Sequence, residues 1–418
     1  MSSFGRSLTR RGQIFMGMGG ALLVSGLGLG MLDLTRVGGL LLALPLLAGL
    51  ITHRHSLTFG VARRPIPTRV QIDQPATVEL AIINPTRRRS PVIAAEETVD
   101  YVLGDRPRVL IPPLRRDESH TMTYEVRSQV RGRHTLGPLA LSASDPFGLI
   151  TRAVSLQSST DLIVLPKVVP LGSQGTGARG VGSDGTIPHM VALHGEDDVS
   201  VRDYRDGDDL RRVHWPATAR TGQLMVRQED RPAMRRAVVL IDSRESVHGP
   251  TTSRTLEWAI TMAASVVSHL DERGFATHLV TASPEPGIGH ETTLLESSME
   301  ALAFVTPGPE EDLAGVLHLA TAAVVGGGLI VALIGGCTDD DARAVAALRT
   351  QGGTGIAFVV ADPAHDGSPD PRSLGTVELL RQAGWKATLV GPGTGWAGAW
   401  SATTSTHSAP RPSAGARS

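Results

Sequence analysis

Two long apolar runs open the chain, Ile14 to Leu32 and Val37 to Ile51. Each approaches the ~20 residues an α-helix needs to cross a bilayer core, so the predicted spans are 14–32 and 36–51. The first alone would pass for a signal peptide, with Arg6, Arg10 and Arg11 ahead of it. The second follows closely and no small-residue cleavage site separates them, which predicts a retained two-span hairpin. Arg6, Arg10 and Arg11 before the pair and Arg54, Arg63 and Arg64 after it outweigh Asp33 and Arg36 between the spans. The positive-inside rule then places both ends, and everything after them, in the cytoplasm of a cell-membrane protein. Glycines at 19, 20, 26 and 30 would let the helices approach closely.

From 57 to 165 the period is two. Val78 to Ile82 and Thr121 to Val126 alternate apolar and polar, and Asn84-Pro85, Pro112-Pro113 and Asp145-Pro146 punctuate the runs. Short alternating strands at near-regular spacing predict an all-β sandwich of immunoglobulin-like type. A Gly-rich linker over 166–190 follows. Its Gly175, Gly177 and Gly180 lack the lysine and hydroxyl residue of a phosphate loop. After 235 the pattern changes again: continuous apolar runs such as Ala237–Ile241 and Leu329–Ile334 alternate with helical periods such as Arg254–Arg273. That order predicts an α/β doubly wound domain over 235–395, with a disordered Ser/Thr/Ala/Pro tail over 401–418.

Composition narrows the partners. Forty basic and 41 acidic residues leave a net charge of −1, so nothing in the balance calls for nucleic acid. Cys337 is the single cysteine; it excludes an internal disulfide and fits a reducing compartment.

Charge concentrates in the segment 191–234, around VRDYRDGDDLRRVHWPATARTGQLMVRQE. Arg202, Tyr204, Gly207, Asp208, Asp209, Arg212, His214, Trp215 and Arg220 stand in it at ordered spacing. Signs alternate, as expected of paired side chains and not of a basic patch. Asp208 is a candidate N-cap for a short helix that Pro216 would end at His214 or Trp215. Trp215 is read as a packing anchor, His214 as a hydrogen-bonded partner, and Asp208, Asp209, Arg212 and Arg220 as a paired network. The alternative is acid–base chemistry on Asp208, Asp209 and His214. There is no serine elbow and no H-E-x-x-H spacing.

These residues resemble the signature of the bacterial domain of unknown function 58 family. The stretch Arg131 to Ile150, with its Asp145-Pro146-Phe147-Gly148 turn, resembles the same family. The residues of the signature are read as non-enzymatic, and the resemblance implies an adaptor role at the membrane. Its implied partners are a MoxR-type AAA+ ATPase and transglutaminase-like membrane proteins, in protein maturation or cell-envelope homeostasis. Asp242-Ser243-Arg244-Glu245-Ser246, at the end of the first strand of the α/β region, resembles the metal motif of von Willebrand factor A domains. Asp242 and Ser246 match it, whereas Arg244 stands where a ligand serine belongs. A guanidinium there repels a divalent ion, so the site reads as degenerate: no cofactor is expected, Mg²⁺ being the alternative. Asp339 is the candidate for the later acidic ligand or for a helix cap.

Overall fold

The computed structural model describes residues 7–54, 57–172, 201–204, 213–227, 235–251, 253–282, 291–292, 294–324, 328–349, 353–362 and 370–404. The chain divides into two compact units, 1–165 and 166–418.

The first unit begins with the helices α1 (Arg10–Leu29) and α2 (Leu32–Arg54). Both are long and apolar enough to cross a membrane. Their bounds lie earlier and wider than the spans predicted at 14–32 and 36–51. Thr9 caps α1, its hydroxyl accepting from the Gly12 N–H. Gly30, at φ 69°, makes the left-handed turn between the helices. Asp33 and Arg36 therefore sit in the first turns of α2, where they pair at 3.3 Å, and not in a loop. The helices touch through small residues: a Cβ on Gly26 would fall 2.6 Å from Thr35 Oγ1, and one on Gly38 2.6 Å from the Leu23 nitrogen. Gly20 contributes no such contact. Val24, Leu27 and Leu40 are more than half exposed, as lipid-facing residues would be.

The rest of this unit is strands: β1 (Gly60–Ile66), β2 (Arg69–Gln71), β3 (Ala76–Ile83), β4 (Ile93–Val99), β5 (Arg108–Ile111), β6 (Ser119–Val126), β7 (Gly132–Ser144), β8 (Thr151–Leu156) and β9 (Thr160–Leu165). One sheet runs β1-β3-β6 and the other β2-β9-β7-β4-β5, with β8 paired to β7. All pairs are antiparallel except β2–β9. Alternation does the packing: Ala76, Val78, Leu80 and Ile82 of β3 face inward against Ile93 of β4, Leu139 and Leu141 of β7 and Val164 of β9. Inside lies an ion pair, Arg63 Nε to Glu97 Oε1 at 2.7 Å, with neither side chain exposed. Burial raises the Glu97 pKa, and the hydrogen bond and charge of Arg63 oppose the rise.

The second unit carries β10 (Val201–Asp203), α3 (Trp215–Thr221) and β11 (Met225–Arg227), then β12 (Arg236–Ile241), α4 (Glu245–His248), α5 (Arg254–Glu272), β13 (Ala276–Val280) and β14 (Glu291–Thr292). After these come α6 (Leu295–Phe304), α7 (Glu311–Ala323), β15 (Leu329–Ile334), α8 (Asp339–Ala347), β16 (Thr354–Val360), α9 (Pro371–Gln382), β17 (Lys386–Val390) and α10 (Trp396–Thr404). The large sheet runs β14-β13-β12-β15-β16-β17. Its strands are parallel except the edge strand β14. Even-numbered residues of β12 and β15 (Val238, Leu240, Ile330, Ala332) pack with α7, α8 and α9. Elsewhere Trp258 of α5 leans on Phe358, which stacks on Trp400 of α10. The helix α10 reaches Thr404, so regular structure extends past the predicted start of the tail at 401. The linker over most of 166–190 and the tail from 405 lie outside the described residues.

Candidate functional site

In a doubly wound sheet the ligand crevice opens beyond the carboxyl ends of two adjacent strands whose connections leave in opposite directions. Here those strands are β12 and β15. Asp242 follows β12, is 1% exposed, and donates its N–H to the Leu333 carbonyl at 2.8 Å.

Arg244 fills the crevice. Its side chain is 4% exposed and grips Asp242 twice, Nε to Oδ1 at 3.0 Å and Nη2 to Oδ2 at 2.8 Å. The backbone N–H groups of Arg244 and Gly335 reach the same carboxylate at 3.1 and 3.2 Å. Nη1 points outward to Glu310 Oε2 at 3.3 Å and lies 3.8 Å from Asp341 Oδ2. Nη2 also donates to Cys337 Sγ at 3.5 Å. Burial alone would lower the Arg244 pKa; its hydrogen bonds and attraction to Asp242, reinforced by Cys337 and Glu310, outweigh that and raise it. The guanidinium stays charged.

The surrounding groups are held in one state. Burial, then the Asp242 charge, push the Cys337 thiol up to about 12, so it is no thiolate nucleophile near neutrality. His248 Nε2 lies 3.0 Å from the Asp242 carbonyl and Nδ1 2.9 Å from Thr255 Oγ1. Burial lowers its pKa, against the pull of Asp242, so the ring is neutral. Three carboxylates against one guanidinium leave these four side chains with two surplus negative charges. Glu310 and Asp341 hold them at the rim, with side chains 57% and 38% exposed.

A divalent metal does not fit this arrangement. Both oxygens of Asp242 already accept from Arg244, and Ser246 is exposed on α4. Among the described residues no group of three His, Cys, Asp or Glu side chains is placed to hold an ion. Nor is Asp339 the acidic residue that reaches the crevice. It is the first residue of α8, which Thr338 caps, and Asp341, half a turn on, faces Arg244.

The signature is described in part. Arg202 lies in β10, which pairs antiparallel with β11. Tyr204 donates its N–H to the Leu224 carbonyl at 2.8 Å. Val213 is buried and bridges Val226. Gly207, Asp208, Asp209 and Arg212 lie outside the described residues. The body of the helix expected from Asp208 lies outside the described residues; at its expected end, His214 or Trp215, a helix begins: α3 starts at Trp215, and Pro216 sits in its first turn, where a missing N–H costs nothing. His214 is the N-cap, Nδ1 accepting from the Ala217 N–H at 3.2 Å. Trp215 is no packing anchor among the described residues; it is 67% exposed, because seven-residue α3 buries none of its side chains. Arg220 is exposed in the last turn, with no ion pair among the described residues.

Glu310, Asp341, Cys337 and His248 were not singled out from sequence as members of one site. Glu310-Glu311-Asp312 and Asp339-Asp340-Asp341 are each acidic runs opening a helix, a signal that reads equally as helix-dipole complementation.

The sequence profile of a family described as "Protein of unknown function DUF58" matches residues 200–381. An uncharacterized protein YeaD of Bacillus subtilis (strain 168) is 26% identical over 182 residues, covering 43% of this chain and 43% of that protein. The matched part is thus less than half of the relative's length. Among solved structures, a CARDB domain from Pyrococcus furiosus aligns at 16% identity and TM-score 0.19 over 26% of this chain and 92% of that one. A β-glucosidase from Listeria innocua aligns at 16% identity and TM-score 0.16, over 26% of this chain and 16% of that one.

Proposed function

We propose that this chain is a membrane-anchored, non-enzymatic adaptor of the domain of unknown function 58 family. In this reading an immunoglobulin-like sandwich separates a two-span anchor from a von Willebrand factor A-like domain, whose crevice docks a protein. One observation carries it: the crevice where a doubly wound sheet would hold a ligand is filled by the chain's own Arg244–Asp242 pair. Arg244 does in fixed form what a bound cation would do, and Glu310 and Asp341 leave a negative rim suited to a basic segment of a partner. The strand order supports the fold reading: with β12 counted first it is 3-2-1-4-5-6, with the third strand antiparallel. Arg10 and Arg11 in the first turn of α1 and Arg54 at the end of α2 support a cytoplasmic location for both soluble regions. The partners proposed are a MoxR-type AAA+ ATPase and a transglutaminase-like membrane protein. The enzymatic alternative loses support at His214, whose Nδ1 lone pair is already committed to the Ala217 N–H.

Capture from solubilised membranes with the full chain, read by mass spectrometry, tests this reading. Neutralising the rim, Glu310→Gln with Asp341→Asn, is expected to release the ATPase from a chain that still melts cooperatively. Undiminished capture would refute the docking site. A His214→Ala chain that folds and keeps its partner yet loses function would favour the enzyme.

A further inference from the structure

The turn Asp145-Pro146-Phe147-Gly148 joins the sandwich to the helical hairpin. The Asp145 carboxylate accepts from the N–H groups of Phe147 at 2.9 Å and Ile150 at 2.6 Å. Thr9, capping α1, donates its hydroxyl to the Gly148 carbonyl at 2.6 Å and its N–H to the Leu149 carbonyl at 3.0 Å. Leu149 and Ile150 pack with Ala48, Phe15 and Leu44 of the helices.

Beside this joint opens a cavity of about 420 Å³, within the range of about 300–1,000 Å³ typical of small-molecule sites. Its apolar walls are Ile51 at the end of α2, Leu57, Pro91, Val92, Ala143 and Pro146. The polar residues lining it have partners elsewhere. Thr52 donates to the Ala48 carbonyl at 2.8 Å, Ser144 bonds Thr151 at 2.9 Å, and the carboxylate of Asp145 is taken by the turn. What the cavity presents is hydrocarbon. Of its walls, Ile51 and Val92 are half-exposed.

Positive charge adjoins this lining along the chain. Arg87, Arg88 and Arg89 are exposed and immediately precede Ser90-Pro91-Val92. Their loop is fixed: Asn84 Nδ2 donates to the carbonyls of Arg88 at 2.9 Å and Leu114 at 3.0 Å, and Ser90 Oγ accepts from the Leu114 N–H at 2.9 Å. The Arg11 guanidinium stands against Gly148, two residues beyond the lining residue Pro146, at 3.8 Å from where a Cβ would sit. An apolar cavity lined by the end of an apolar helix, with arginines next to its lining residues in the chain, matches one kind of ligand. We propose that it holds part of an acyl chain of an anionic phospholipid, whose phosphate meets the Arg87–Arg89 loop and Arg11. The inference rests on the membrane-anchor reading of α1 and α2.

Native mass spectrometry of the full chain in detergent tests it, with phosphatidylglycerol, phosphatidylcholine and inorganic phosphate added separately. One phosphatidylglycerol should be retained about tenfold more strongly than phosphatidylcholine, and phosphate alone should not bind. Val92→Trp should block the cavity and abolish retention with no change in melting. Replacing all three arginines (Arg87→Gln, Arg88→Gln, Arg89→Gln) should remove the preference for the anionic lipid. Equal retention of both lipids, retention of phosphate alone, or full retention by Val92→Trp overturns the site. Carbonate washing of membranes separates the two failures. A chain washed off overturns anchor and lipid site together, whereas one that stays but shows no lipid preference overturns the site alone.

Discussion

Arg63–Glu97 in the sandwich and Arg244–Asp242 in the α/β unit are both buried arginine–carboxylate pairs, closing at 2.7 and 2.8 Å. They differ in what surrounds them. Arg63 and Glu97 lie between two sheets with both side chains fully enclosed, and desolvation governs: the Glu97 pKa is raised in spite of its partner. Arg244 lies at the carboxyl edge of a parallel sheet, and one of its nitrogens reaches outward to the half-exposed Glu310. Attraction prevails there, and its pKa goes up. The same pair of residue types is thus enclosed between sheets in one unit and, in the other, fills the strand ends with one guanidinium nitrogen turned to exposed carboxylates. The neighbours decide which, not the pairing.

Asp242→Ala should have the largest effect. It strands a buried guanidinium and the Gly335 N–H together, and losing one partner of a buried pair costs about 3–5 kcal/mol. Chemical denaturation should show it as a lowered midpoint for the α/β unit. A loss under about 1 kcal/mol would mean that Arg244 escapes to solvent, and the contrast between the pairs would collapse.

Glu97→Gln should cost less, about 1–3 kcal/mol, because the amide oxygen still accepts from Arg63. Its signature lies in the pH dependence. A carboxylic acid whose folded pKa is raised above 4.5 contributes stability that is fully present below that value and lost as pH rises through the folded pKa. Melting curves above pH 4.5 should therefore fall less steeply for Glu97→Gln than for the wild type. Parallel curves would show Glu97 to be ordinary.

His248 should act in the opposite direction. Its folded pKa is lowered from 6.5, so the unfolded chain takes up the proton first. The neutral ring's contribution is present above about pH 6.5 and lost as pH falls below it. The ring faces the Asp242 carbonyl, Thr255 and the Arg244 charge, so acid should loosen the crevice before the rest of the unit. His248→Gln should flatten the decline between pH 6.5 and 5; an unchanged slope would assign the acid sensitivity elsewhere.

The smallest effect on stability belongs to Trp215→Ala. Surface substitutions usually stay within about 0.5 kcal/mol, and Trp215 is 67% exposed. A drop of several degrees in melting would show that Trp215 is a packed residue after all.

Much of the fold was legible because its patterns are strong. The six apolar residues of β15 match the predicted strand at both ends, since a strand covered on both faces has no polar position to blur its limits. Short elements were not. The two-residue β14, four-residue α4 and nine-residue α10 carry too little period to register, and α10 rests on Trp400 meeting Phe358 and His269 across the fold. The same division runs through the site. Asp242 and Arg244 are two residues apart and could be paired by reading along the chain. Glu310 lies 66 residues further on and is brought to Arg244 only by the return of the chain past β14. Pro216 misled because a proline marks a helix start as readily as its end, and only the backbone at His214 decides between them.

In the proposed reading Arg244 stands where a bound metal would. Isothermal titration of the full chain with Mg²⁺ and Mn²⁺, beside Asp242→Ala and Arg244→Ser, tests it most directly. A guanidinium about 4 Å from a divalent ion costs several kcal/mol even at an effective dielectric near 20, so the wild type should give no saturable heat. Arg244→Ser removes that repulsion and should bind the ions weakly. Micromolar binding by the wild type that disappears in Asp242→Ala would contradict the account.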